Sequence, residues 1–102
     1  MSIDSASLQM SAQRLFPGLD PDEVLAELLL ERAQKNLIKY RTMARQFKAK
    51  YGQEFDTFRQ EILDSEPPFE IEQDYFDWEM ATSGMADMEE EIRHLERLIH
   101  RT

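Results

Sequence analysis

The sequence predicts an all-α protein, an antiparallel hairpin of two long helices with a short helix between them and a flexible N-terminal arm. Three observations carry this reading. The 102 residues contain only 3 Gly and 4 Pro, with 41% hydrophobic and 32% charged residues, a composition suited to helices and sparing in turn formers. Two stretches of about thirty residues repeat apolar side chains in alternating steps of three and four. Each stretch begins with helix-starting residues or follows a proline pair, and the first stops at a glycine.

Residues 1–19 are polar and serine-rich, with Ser2, Ser5, Ser7 and Ser11, and close on Phe16-Pro17-Gly18. They read as a flexible arm with room for one helical turn around Leu8 to Leu15. The remainder, 20–102, reads as a single helical domain, since a chain of this length supports one modest core.

At Asp20 the helix signals become dense. Asp20 is a capping residue, Pro21 suits the first helical position because its missing N–H has no partner there anyway, and Glu23 completes a capping box. Apolar or small residues then recur at Ala26, Leu30, Ala33, Leu37, Tyr40, Ala44, Phe47 and Tyr51. Gly52 follows, where a left-handed residue ends a helix without a Cβ penalty. The expected helix spans 21–51, a rod of roughly 46 Å at ~1.5 Å per residue. Phe55, Phe58, Ile62 and Leu63 give a short amphipathic helix ending near Asp64, before Pro67-Pro68. The second seam runs Ile71, Tyr75, Trp78, Ala81, Met85, Met88, Ile92, Leu95, Ile99, predicting a helix over about 70–100. Thr82-Ser83-Gly84 lies inside it, and a helix-interior glycine costs about 1 kcal/mol relative to alanine, so a continuous, a kinked and a broken helix all remain open.

The net charge of −9 is segregated. Residues 1–31 sum to −5, 32–50 to +7, 53–91 to −13 and 92–102 to +2. Antiparallel packing sets each basic half beside an acidic half, whereas parallel packing sets like against like. Both acidic blocks also start helices and both basic blocks end them, as the macrodipole favours. Exposed pairs contribute only ~0.2–1 kcal/mol each, so the pattern selects orientation more than it stabilises.

The composition also excludes chemistry. With no cysteine there are no disulfides, thiolate metal sites or cysteine nucleophiles. No run approaches the ~20 apolar residues of a membrane span, and residues 1–19 hold only Arg14 as a base, unlike a secretory signal. The expectation is a soluble, cytoplasmic protein with no membrane partner. No phosphate loop is present, and a catalytic role has no support. Glu91-Ile92-Arg93-His94 has the Glu-x-x-His spacing of di-iron carboxylate bundles, with Glu27 and Glu31 on the facing half of the first long helix. The motif is not repeated on a second helix, and a glutamate-rich helix yields such a match by chance. His94 and His100 are six apart and do not chelate within one helix. The reading is therefore no metal, no cofactor and no enzyme.

The run Lys39 to Lys50 interleaves bases with Tyr40 and Phe47, as nucleic-acid surfaces can. Both aromatics belong to the seam, the acidic start of the last helix is the nearer neighbour, and the net charge opposes steering toward phosphate. Nucleic acid is not the expected partner.

Two surfaces exceed what a two-helix seam uses. In Val24-Leu25-Ala26-Glu27-Leu28-Leu29-Leu30 apolar residues run most of the way round the helix, so something covers it: the arm, a second copy, or another protein. Leu25, Leu28, Leu29 and Leu98 are the expected oligomer interface of a homodimer or higher oligomer. Phe76 and Met80, with Asp74 and Asp77 beside them, form an aromatic and acidic strip. Either the short helix covers it or it docks a basic partner.

The basic helix ending Lys50-Tyr51-Gly52, then Glu54-Phe55-Asp56-Thr57-Phe58, then Asp74-Tyr75-Phe76-Asp77-Trp78-Glu79, resembles small all-α antitoxin-like proteins of bacterial and archaeal toxin–antitoxin pairs. The resemblance covers Lys39 to Met80, about 40 residues. It implies a non-enzymatic protein that neutralises a toxin partner by occlusion. Residues 1–19 carry no DNA-binding motif, a departure from antitoxins that also regulate their own genes. The rival readings are a homo-oligomeric structural protein and a ferritin-like metal-binding oligomer built around Glu91 and His94.

Overall fold

The structure, a computed structural model, describes residues 2–100. Four helices follow one another: α1 (Ser5–Leu15), α2 (Pro21–Tyr51), α3 (Phe55–Leu63) and α4 (Phe69–Ile99), with no strand among the described residues. The two long helices pack along their length as an antiparallel hairpin. Lys50 meets Asp74, Tyr40 lies on Gly84 and Arg41 meets Glu89, so residue numbers rise on one helix as they fall on the other. Continuing this register to the open end of the hairpin brings Leu25 to Leu29 level with the turn of α4 that holds Leu98.

The local signals act as their chemistry requires. The Asp20 carboxylate accepts from the Glu23 N–H at 2.9 Å, and Pro21 occupies the first turn. Gly52 adopts φ 63° and donates its N–H to the Lys48 carbonyl at 2.8 Å, which turns the chain out of α2. Every seam residue named above, on both helices, is buried or half-buried.

Residues 2–19 differ from expectation. In place of one turn the arm contains three, because the Asp4 side chain accepts from the Ala6 N–H at 3.1 Å and from the Ser7 hydroxyl at 2.8 Å. The short spacing Asp4-x-x-Ser7 is a capping signal, and serines downstream of a cap are tolerated in a helix. Gly18 at φ 84° then reverses the chain into α2. No residue of α1 is buried.

α4 is continuous through Gly84. A Cβ there would lie 2.7 Å from the Tyr40 ring, so the glycine is the seat on which Tyr40 packs across the seam. The helix tolerates the propensity loss because the close approach of α2 repays it.

The core lies at the closed end. Trp78 and Phe58 are each 2% exposed, and the Trp78 ring is within 5.2–6.2 Å of Phe47, Tyr51, Phe55 and Phe58, centroid to centroid. α3 folds back to insert Phe58 between the long helices. Aromatic pairs at such separations add ~0.5–1.5 kcal/mol each beyond their area.

Trp78→Ala should cost about 3–5 kcal/mol, measured by urea unfolding, because it removes the centre of this cluster. Gly84→Ala should destabilise by about 1–3 kcal/mol despite the better helix former, through collision with Tyr40. A Tyr40→Ala background should remove most of that penalty, and full additivity in the double-variant cycle would contradict the seat.

Candidate functional site

The candidate interaction surface is the outer face of α4. At 3.6 residues per turn, Phe69, Phe76 and Met80 fall within about 40° of one another and roughly opposite Trp78. They are 77%, 52% and 50% exposed. α3 covers Tyr75 and Trp78 on the inner side and leaves this stripe bare. Glu72 and Glu79 flank it on one side, Glu70 and Asp77 on the other, all within the same three turns. Phe69 escaped the sequence reading because it directly follows Pro68 and precedes the seam. The heptad spacing from Phe69 to Phe76 was the signal that could have found it.

The two acids expected to serve this surface differ in what they do. Asp77 is half-buried and accepts from Gln73 Nε2 at 3.2 Å on its own helix, within reach of the stripe. Asp74 is taken up inside the chain. One carboxylate oxygen accepts from Lys50 Nζ and from the Tyr51 hydroxyl, each at 2.5 Å, tying the end of α2 to the start of α4. The Lys50 hydrogen bond, then that from Tyr51, holds Asp74 below the usual carboxylate range. Burial, then the bond to Asp74, pushes the Tyr51 phenol up. Asp74 is thus a clasp of the hairpin rather than a free docking group.

Four of the seven bases in the basic block of α2 pair with acids, two of them across to α4. Lys35 pairs with Glu31 at 3.5 Å, Arg41 with Glu89 at 3.7 Å, Lys48 with Glu54 at 2.7 Å and Lys50 with Asp74. A shallow hollow of about 370 Å³ opens between Arg41, Arg45, Lys48, Phe55 and Thr82, with Trp78 in its wall. Arg41–Glu89 and Lys50–Asp74 are the pairs that set the basic half of α2 beside the acidic half of α4.

At the open end, Leu25 is 55% exposed, Leu28 and Leu29 are 47%, and Leu98 is 45%. A groove of about 430 Å³ runs between α1 and the start of α2, lined by Leu8, Ala12, Leu15, Phe16, Leu25 and Leu28 among others. Glu91 and His94 are exposed, and Glu31 is committed to Lys35. Among the described residues no three His, Asp or Glu side chains converge as metal ligands, and no helix is long and apolar enough to cross a membrane.

The clasp gives a pH dependence. A depressed carboxylate contributes stability that is present above its unfolded pKa and lost as pH falls through the lower folded value. Asp74→Asn should therefore lower the melting temperature at neutral pH and make the acid limb of the stability profile shallower than in the wild type. Equal acid slopes in thermal melts from pH 7 to pH 2 would show that Asp74 holds nothing. No protein-family model, curated protein or solved structure matches the chain, so its functional reading rests on these residues alone.

Proposed function

We propose that this chain is a non-enzymatic binding module, an antitoxin that neutralises a basic partner protein by occluding it against the outer face of α4. The observation that carries the reading is the stripe of Phe69, Phe76 and Met80, exposed on the side opposite the seam and framed by Glu70, Glu72, Asp77 and Glu79. Apolar anchors supply most of the energy of an interface when they fill a partner's pockets. Carboxylates at the rim steer and orient a cationic partner, and add salt dependence more than affinity. The same frame disfavours pairing of the stripe with its own copy, because like charges would meet. The resemblance over Lys39 to Met80 points to the same class of function, and the stripe's last two anchors, Phe76 and Met80, lie inside that segment.

Occlusion needs a rigid face and no chemistry. α4 is pinned beneath the stripe by Trp78 and by the Asp74 clasp, so the anchors are presented on a backbone that needs no ordering on binding.

The test is co-expression with the product of the reading frame adjacent to this gene, which this proposal expects to be a small basic protein. Wild type should relieve the growth arrest that protein causes, and should bind it in a calorimeter with affinity that falls as salt rises. Phe76→Ala should weaken binding by about tenfold or more, equivalent to ~1.4 kcal/mol. Phe76→Glu with Met80→Glu should abolish both binding and rescue while leaving the circular dichroism unchanged. Rescue by that double variant equal to wild type, or an adjacent product without effect on growth, would defeat the proposal.

A further inference from the structure

The end of the hairpin remote from α3 presents a second surface whose lining residues carry no charge. α1 makes few contacts with α2, and a groove of about 430 Å³ lies open between them. Its walls are apolar, and α1 with its connection to α2, residues 5–19, carries Arg14 as its only charge. The arm does not cover Leu25, Leu28 and Leu29 of α2, which remain about half exposed.

Two magnitudes show that the isolated chain leaves more surface uncovered than a compact monomer does, enough to supply an interface. Its accessible surface is 7972 Å² for 12.1 kDa, whereas a compact monomer of that mass exposes about 6,000 Å². The excess, roughly 1,900 Å², is more than twice the ~800 Å² per partner of a standard stable interface. The radius of gyration is 19.6 Å against about 13 Å for a compact chain of this length. In addition, α1 has eleven residues and buries none, and isolated helices shorter than ~12–15 residues are marginal in water.

We propose that the groove between α1 and the start of α2 is a homodimer interface, occupied by α1 and the leucine-rich first turns of α2 from a second copy about a two-fold axis. Charge selects this occupant. A two-fold interface sets a patch against itself, so a nearly neutral apolar patch accepts its own copy. The acidic stripe on the outer face of α4 would repel its copy and requires a cation-bearing partner instead. Arg14 of each copy offers a counter-charge to Asp20, Asp22 and Glu23 at the start of the other's α2. The two surfaces lie at different ends of the molecule, so a dimer leaves both outer faces of α4 free to bind.

Sedimentation equilibrium of the full chain, with Trp78 fluorescence and circular dichroism as folding controls, decides the matter. Wild type should have twice the mass of one 12.1 kDa chain. Leu8→Glu with Leu28→Glu should fall to the mass of one chain and lose ellipticity equivalent to the eleven residues of α1, with the Trp78 emission unchanged. Phe76→Glu with Met80→Glu should remain a dimer. A wild-type monomer across the concentration range would overturn the proposal. So would a Leu8→Glu, Leu28→Glu variant that keeps the dimer mass, or dissociation caused by the Phe76 and Met80 substitutions. A second variant, Leu25→Asp alone, guards against misfolding of the double variant. It should weaken the dimer at least tenfold with the same fluorescence control, and an unchanged dissociation constant would also overturn the interface.

Discussion

The packing of Trp78 is the constraint on which the rest of the fold depends. Two helices alone form a ribbon in which each seam residue is covered from one side, and such a ribbon buries little. Trp78 changes this at one end, because its ring is wide enough to touch Phe47 and Tyr51 on α2 and Phe55 and Phe58 on α3 at once. It thereby holds the third helix against the first two. The Asp74 clasp to Lys50 and Tyr51 sits one turn away and fixes the same level of the hairpin by polar contacts. With apolar burial and charge-assisted bonds at one level, the register of the remaining 40 Å or so of seam follows from that end.

Away from the cluster the seam is made by smaller residues and a close approach. Gly84 admits Tyr40, Ala33 and Ala81 are buried with little volume to contribute, and Leu37 and Leu95 supply the larger apolar contacts. The hairpin is therefore tight and thin, with principal extents of 57 × 36 × 19 Å. A thin molecule has much surface for its mass, and its surplus apolar groups must appear on the outside. They do so in two places of contrasting charge: a stripe framed by acids on α4, and a nearly neutral groove beside α1. The difference in charge, rather than in hydrophobicity, is what separates a surface suited to a basic partner from one suited to a second copy.

Much of the fold was legible in the sequence. Caps and stops act over three or four residues, so Asp20, Pro21 and Gly52 set the limits of α2, and Pro68 marks the start of α4, without reference to the rest of the chain. The seam period picked out the apolar residues along the facing sides of both helices, though not Gly84, Asp74 or the buried Val24, and the charge blocks gave the antiparallel sense that Lys50–Asp74 and Arg41–Glu89 carry out. The α1 helix was legible too, through Asp4 and Ser7, but its serine-rich composition outweighed a two-residue signal.

What only the tertiary structure decided concerns which side of each residue is left uncovered. Periodicity places Phe76 and Met80 off the seam, yet whether α3 reaches them depends on the angle at which residues 52–54 return the chain. Asp74 and Asp77 are both acids beside the same stripe, and their local sequence does not say that one is seized by Lys50 and Tyr51 while the other stays near the surface. Gly84 carries a helix-breaking propensity in isolation and becomes a packing site only because Tyr40 arrives from 44 residues earlier in the chain. Local propensity and period are properties of a few consecutive residues and can be read along the chain. Coverage is set by contacts between residues far apart in sequence, and it exists only once the helices have met.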